Sequence, residues 1–287
     1  MRAMFFASVL GVMACSALVP VAQADDPQVT KSGASLKGDP KKITDLTVTP
    51  VKAGALPCVF WADAKGTAFY TISASGAIRR ISYPELKEEI LADLQTKSAY
   101  MSPSAEGLVV TVADSQEVLL LDAATFKIKV KLPVPGLTRA VSAYPLSMAV
   151  AVNKTDIYEL DLNKKTVKKF AGEKWGGPEY PAMTPDGKSF FVVGRETLQR
   201  YAVVNGQVKY MEKTGRIGGS AIQLPQVSSD SKYACLGTYT GYNGGLPVFR
   251  ASDIQSPDFV VKPAVAVAGF DSVGGFVYGQ HPRGPFR

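Results

Sequence analysis

Thr184 to Val208 reads "TPDGKSFFVVGRETLQRYAVVNGQV". A tight turn, Thr184-Pro185-Asp186-Gly187, opens this stretch. A β-rich run follows, then a polar break at Gly194-Arg195-Glu196-Thr197, a second β-rich run and a second turn at Asn205-Gly206. Asp accepts hydrogen bonds from its own following backbone, and Gly takes a positive φ at little cost, so these residues mark turns. From Ser102 to Ile128 the chain carries the same parts in the same order, "SPSAEGLVVTVADSQEVLLLDAATFKI".

The unit recurs across the chain. A small residue precedes a β-rich run at Gly66, Gly107, Ser147, Gly187, Ser231 and Gly274, with spacings of 41, 40, 40, 44 and 43 residues. Each unit has a short first strand, the turn, a second strand such as "LVVTVAD" or "MAVAVNK", and a polar break. A third strand follows ("AIRRIS", "VLLLDA", "IYELDL", "LQRYAV", "LPVFRA"), then a second turn and a more polar fourth strand ("KIKVKLPV", "TVKKFAG", "QVKYMEK"). Four strands in about 42 residues make one propeller blade. The expected fold is all-β: a β-propeller of about six four-stranded blades. A seventh stays open, with the last blade incomplete or closed by an N-terminal strand. The sixth unit holds only two strands, and Ile43 to Pro50, "ITDLTVTP", alternates like a strand able to complete the ring; a chain that is a fragment also fits. Only Pro84 to Leu94 has helix-forming residues, and there the expectation is a fourth strand with an acidic approach or a single helical turn.

The unit at 102–134 resembles the YVTN class of β-propeller repeat, related to WD-repeat-like propellers. That class reads as a Ser-Pro-Asp-Gly turn, a Tyr-Val strand, a Val-Ile-Asp strand and an Ala-Thr-Gly turn, and Thr184-Pro185-Asp186-Gly187 matches its first element. The resemblance covers about residues 56 to 280. It implies the fold and leaves function to the sites grafted on it. The Trp-Asp dipeptide of true WD repeats is absent from the third strands.

Residues 1–24 read as a signal peptide. Arg2 is the only charge before Asp25, Ala3 to Val19 is apolar, and Ala22-Gln23-Ala24 is a small-x-small cleavage site. Cleavage after Ala24 gives a secreted or periplasmic protein. The run Val12-Met13-Ala14-Cys15 offers a second route, a lipid anchor at Cys15. Residues 25–42 are expected to be a flexible leader and 43–287 the propeller domain. No later stretch approaches the roughly 20 apolar residues of a transmembrane helix. Losing Arg2 with the leader takes the formal net charge from +7 to +6. The charges are scattered; the densest run, "NKKTVKK" at 163–169, is expected to be a solvated turn. A nucleic-acid partner would need clustered Arg with interleaved aromatics, and none is expected. The single histidine, His281, removes most zinc, haem and Ser-His arrangements. Cys58 and Cys235 fall on different units and are expected to be free, buried thiols.

In a propeller, blade-to-blade loops and the loops between second and third strands share one face. Blade-to-blade loops carry Arg139, Trp175, Tyr180 and Arg216. Second-to-third loops carry Asp114, Asn153, Arg195, Tyr239, Tyr242 and Asn243. Trp175, Tyr180, Arg195, Arg216, Tyr239, Tyr242 and Asn243 form the candidate ligand-binding set, because aromatics beside Arg and Asn suit a protein or carbohydrate surface. Ordinary turn composition with aromatics packed on the rim is the competing account. Asp63, Asp186 and Asp230 lie on the opposite face and are expected to shape turns. The favoured reading is an exported binding or scaffold module for an envelope protein or carbohydrate, without catalytic residues, metal or other cofactor. Two alternatives stay open. A lactonase-like propeller hydrolase would gather Glu, Asp, Asn or His around a metal on the axis, and the first strands offer Glu179, Asp63 and Asp271. An electron-transfer partner resembling the large subunit of periplasmic amine dehydrogenases is the other, although the chain has no Cys-x-x-Cys-His.

Overall fold

Antiparallel strands in sequential sheets dominate the computed structural model. It describes residues 57–62, 68–73, 75–82, 85, 87–96, 98–172, 179–194, 197–215, 225–228, 230–236, 246–261, 266–271 and 276–280. Blade 1 comprises β1 (Pro57–Ala62), β2 (Ala68–Ser73), β3 (Ala77–Ser82) and β4 (Glu88–Asp93). Blade 2 comprises β5 (Ala99–Ser104), β6 (Gly107–Val112), β7 (Glu117–Leu121) and β8 (Ile128–Pro133). Blade 3 comprises β9 (Arg139–Val141), β10 (Met148–Val152), β11 (Ile157–Asp161) and β12 (Thr166–Lys169). Blade 4 comprises β13 (Glu179–Met183), β14 (Ser189–Gly194), β15 (Thr197–Val204) and β16 (Gln207–Lys213). Blade 5 comprises β17 (Gln226–Val227), β18 (Tyr233–Cys235), β19 (Leu246–Arg250) and β20 (Phe259–Val261). A hairpin of β21 (Ala266–Asp271) and β22 (Phe276–Gln280) follows. In every four-stranded sheet the strands lie side by side in chain order. The acidic segment before Leu94 is a strand, β4, and no helix appears among the described residues. Accordingly, none of those residues forms a helix long and apolar enough to cross a membrane. The leader, the Ile43–Pro50 segment, Asp63 and His281 lie outside the described residues.

First strands of successive blades are neighbours, β1 to β5, β5 to β9, β9 to β13, β13 to β17 and β17 to β21, so they form the innermost layer. Second strands are sandwiched, and every residue of β6, β10 and β14 is buried. That explains their near-continuous apolar runs: a sheet covered on both faces needs no alternation. Neighbouring residues on one strand serve different interfaces. Val110 packs with Ile72, Ile78 and Met101 between blades 1 and 2, whereas Val109 packs with Ala149 and Leu160 between blades 2 and 3. Phe190 and Tyr201 join Val150 and Ile157 between blades 3 and 4. Phe191 and Leu198 join Ala234 and Phe249 between blades 4 and 5. Each fully buried large apolar side chain is worth roughly 1.5–3 kcal/mol.

Turn chemistry follows the sequence. Asn205 and Gly206 have φ of 51° and 72° and join β15 to β16 through a two-residue loop, the type I′ geometry that Asn-Gly prefers. Asp122 accepts hydrogen bonds from the Thr125 amide (2.8 Å), the Thr125 hydroxyl (3.0 Å) and the Ala124 amide (3.1 Å). These bonds hold its carboxyl below the usual Asp range. Cys235 is a free thiol, fully buried in β18, and burial raises its pKa well above the ordinary value, leaving it an inert core residue. Cys58 lies in β1, with its thiol outside the described side chains.

Candidate functional site

The N-terminal ends of the inner strands β5, β9 and β13 open on the face that carries the blade-to-blade and second-to-third loops. Tyr100 is the second residue of β5, Arg139 the first of β9 and Tyr180 the second of β13. The Arg139 guanidinium carbon lies 4.1 Å from the Tyr100 ring centroid, a cation–π contact bridging blades 2 and 3. Sequence reasoning put Arg139 in a loop. The amide and hydroxyl of Thr138 both donate to Val152 O (2.9 Å each), and this draws the chain into the ladder one residue early, opposite Val152.

Tyr180, also expected in a linking loop, lies inside β13. The register against β14 breaks between Glu179 and Ala182, and Tyr180 has φ +50°. The left-handed region costs a bulky L-residue about 1–2 kcal/mol. Its side chain is 43% exposed. A strained aromatic at an inner-strand bulge, half open to solvent, is the pattern found where a chain re-aims a side chain for use. The other members of the candidate set, Trp175, Arg195, Arg216, Tyr239, Tyr242 and Asn243, lie outside the described residues.

Two further positions on this face have structural tasks. Asp114 accepts from the Thr96 hydroxyl, tying its loop to the segment that enters blade 2. Asn153 Oδ1 accepts the amides of Thr155 (2.8 Å) and Asp156 (2.6 Å), and its Nδ2 donates to Pro135 O (2.9 Å) and the Tyr158 hydroxyl (3.2 Å). Gln116 Oε1 accepts the Gly136 amide at 2.9 Å. These loops are braced by their own polar side chains, which holds Tyr100 and Arg139 on a fixed frame. Tyr100 escaped the sequence reading. Its signal was register: it stands seven residues before Gly107, as Tyr180 stands seven before Gly187.

On the opposite face Asp186 and Asp230 shape turns, as expected. Asp186 Oδ1 accepts the Lys188 amide (3.1 Å), and its own amide donates to Ser231 Oγ in the next blade (3.0 Å). Partial burial pushes the Asp230 carboxyl up, but hydrogen bonds from the Ser228 hydroxyl (2.6 Å) and the Lys232 amide (3.1 Å) outweigh it and leave the pKa lowered. The first turns of neighbouring blades also link directly, through Ala105 N to Leu146 O (2.9 Å) and the Ser147 hydroxyl to Glu106 (2.7 Å). No group of three or more His, Cys, Asp or Glu positioned to hold a metal ion occurs among the described residues.

No family model matches the chain, and no curated protein matches it. Solved structures do. The β-propeller domain of Cps50 (Swd1) from Myceliophteria thermophila superposes with TM-score 0.58 at 10% identity, covering 71% of this chain and 68% of that one. A protein of unknown function from Desulfotomaculum acetoxidans gives 0.52 at 13% identity, over 78% and 74%. KlAtg21, solved in complex with the coiled coil of AgAtg16, gives 0.52 at 11% identity, over 67% of this chain and 65% of that one. Identities this low speak to fold alone. With five sequential four-stranded blades among the described residues, set around a layer of first strands, the chain has the β-propeller fold.

Proposed function

We propose that this chain is an exported propeller of the YVTN class that works as a binding or scaffold module in the cell envelope. It holds a partner protein against the face where the inner strands begin. The observation that carries this reading is Tyr180, a half-exposed aromatic kept at positive φ by a bulge in β13. The Arg139–Tyr100 stack starts the two preceding inner strands. Tyr and Arg are the residue types that concentrate binding energy at protein interfaces. Pre-bracing by Gln116 and Asn153 lowers the ordering cost that binding would otherwise carry. Export rests on the apolar run from Ala3 to Val19 and the Ala22-Gln23-Ala24 site. A propeller solved with a bound coiled coil, KlAtg21, is a precedent for a protein partner on this fold.

Affinity capture from an envelope extract, followed by direct binding of the identified protein, tests the proposal. Tyr180→Gly should weaken binding by about 30-fold or more, the loss of a hot-spot side chain, while Asp186→Ala on the opposite face leaves affinity unchanged. Equal affinity of Tyr180→Gly and wild type removes the site. Stoichiometric metal in the purified protein together with lactone hydrolysis would replace the binding module with the hydrolase.

A further inference from the structure

Outer strands give a propeller its exposed edges. Those of blades 1, 2 and 4 carry irregularities: the pairing register slips between Ile78 and Arg79 against β4, between Leu120 and Leu121 against β8, and between Arg200 and Tyr201 against β16. Bulges of this kind twist an edge away from further pairing. Blade 3 differs. Its outer strand β12 pairs with β11 without a break, from Tyr158 opposite Lys169 to Asp161 opposite Thr166. Phe170 N donates inward to Ile157 O at 2.9 Å. By the two-residue period, Thr166 and Lys168 also turn their main-chain groups inward, and Val167 and Lys169 turn theirs outward.

The charge at this edge is layered. Lys168 is 75% exposed over Glu159 at 14%, and Lys169 is 59% exposed over Asp156 at 12%. Lys164, ion-paired with the partly exposed Asp161 at 3.2 Å, and Lys165 extend the lysine layer through the preceding turn. Solvent therefore meets lysine first, one on each side of β12, with the carboxylates recessed beneath. Beside the edge lies a groove of about 170 Å³ lined by Glu159, Lys168, Phe170, Gly172, Gln207 and Val208. Gly172 keeps its floor open, because a Cβ there would lie 2.2 Å from the Phe170 ring.

We propose that the β12 edge is a second docking site, taking an extended acidic peptide from a partner protein as a fifth strand of blade 3. Strand addition draws affinity from main-chain hydrogen bonds and specificity from flanking side chains. Here the outward groups of Val167 and Lys169 supply the bonds, and the lysine layer selects carboxylates. Lysine on an edge also repels another copy of a basic chain, so the same residues reject self-pairing and accept an acidic strand. This site lies on the outer wall, away from the inner-strand face of the functional proposal, and neither depends on the other.

The probe is a fluorescein-labelled heptapeptide of alternating Glu and Val, with Lys/Val and Glu/Gly versions as controls. Anisotropy titrations should show saturable binding of the Glu/Val peptide, weakening as salt rises, and at least tenfold weaker binding of both controls. In wild type, saturating peptide should slow amide exchange at Val167 and Lys169. Val167→Pro removes an outward N–H, and Lys165→Glu combined with Lys168→Glu reverses the charge; each should weaken binding tenfold or more. The charge variant keeps the test decisive should the proline variant fail to fold. Unchanged exchange at those amides, equal binding of the Glu/Gly peptide, or no binding of the Glu/Val peptide overturns the proposal. Concentration-dependent self-association abolished by Val167→Pro, or capture of phosphatidylglycerol vesicles without amide protection, would put a different occupant on the edge and overturn it too.

Discussion

Thr71 and Thr111 occupy equivalent places in blades 1 and 2, and the same substitution should move stability in opposite directions at the two. Both are fully buried in second strands, Thr71 opposite Phe60 on β1 and Thr111 opposite Tyr100 on β5. The Thr111 hydroxyl accepts the Ala140 amide at 2.8 Å and donates to Ala140 O at 3.3 Å, clamping blade 2 to the inner strand of blade 3. The Thr71 hydroxyl is buried without a hydrogen-bond partner among the described residues. Val keeps the shape of Thr and removes only the hydroxyl. At position 111 it strands the amide of Ala140, which is 2% exposed, and a buried unsatisfied donor costs about 1–3 kcal/mol. At position 71 it deletes a desolvated hydroxyl, a gain of about 1–3 kcal/mol on the scale set by protein mutations. With Tm moving roughly 2–4 °C per kcal/mol for a domain of this class, Thr111→Val should melt earlier by about 2–12 °C. Thr71→Val should melt at or above the wild-type temperature. Calorimetry with urea melts as a second probe gives the answer. A fall in Tm for Thr71→Val matching that for Thr111→Val would show that the Thr71 hydroxyl is satisfied after all, and the reasoning fails.

Three other outcomes can be checked on the same purified protein. Tyr201 is fully buried, stacks on Phe190 at 4.7 Å and donates to Gln199 at 2.9 Å. Tyr201→Phe should cost about 0.5–1.5 kcal/mol and Tyr201→Ala about 3–5 kcal/mol in denaturant melts; equal losses would mean that the ring is not packed. Gly107→Ala should destabilise strongly, since φ is +141° and the new Cβ would lie 2.1 Å from Leu121 O. Gly206→Ala, with nothing within 4 Å, should cost only the left-handed penalty of about 1–2 kcal/mol, and thermal melts that rank the two equally contradict this. Asp122 has a lowered folded pKa, so its contribution is present above the unfolded value of 3.8 and lost as pH falls through the folded pKa. Wild-type stability should drop more steeply than that of Asp122→Asn as pH is lowered past about 4, and parallel curves would assign the turn no role in acid stability.

Much of the fold was legible because its signals are local and repeated. The turn residues at Gly107 and Gly187, the Asn205-Gly206 hairpin and the largely apolar second strands each state their conformation within a few residues, and the period multiplies the evidence. The bulges were not legible. A slip between Glu179 and Ala182 depends on how two strands fit one another, and neither strand announces it. The same holds for Tyr180, since no propensity places tyrosine at φ +50°. Asp114 and Asn153 show a different limit. Their position on the loop face was read correctly, but a short polar side chain can either meet a ligand or satisfy nearby backbone. Only the coordinates show Asn153 bonding the amides of Thr155 and Asp156. Of the candidate set, Tyr180 alone lies among the described residues, and it stands in a strand where a loop was expected.

Under the proposed function, the two faces divide the labour between stability and recognition. On the first-turn face, Ala105 bonds Leu146, Ser147 bonds Glu106 and Asp186 bonds Ser231, so blade 2 is tied to blade 3 and blade 4 to blade 5 through residues the turns already require. Leu146 packs so closely against Gly187 that a Cβ there would come within 2.7 Å of it. Substitution on that face therefore disturbs the contact between blades as well as one turn. On the other face, hydrogen bonds among the described residues run within a blade or to its own linker, as Gln116 to Gly136 and Thr138 to Val152 do, and the Arg139–Tyr100 stack crosses from blade 3 to blade 2. In repeat proteins stability is approximately a sum over units and their nearest-neighbour interfaces. Where a side chain among the described residues makes no blade-to-blade bond, changing it costs that sum little. It follows that the strain of Tyr180 is affordable where it sits: the Phe190–Tyr201 core and the first-turn ties hold blade 4 in place, and the inner-strand end is left to present a side chain.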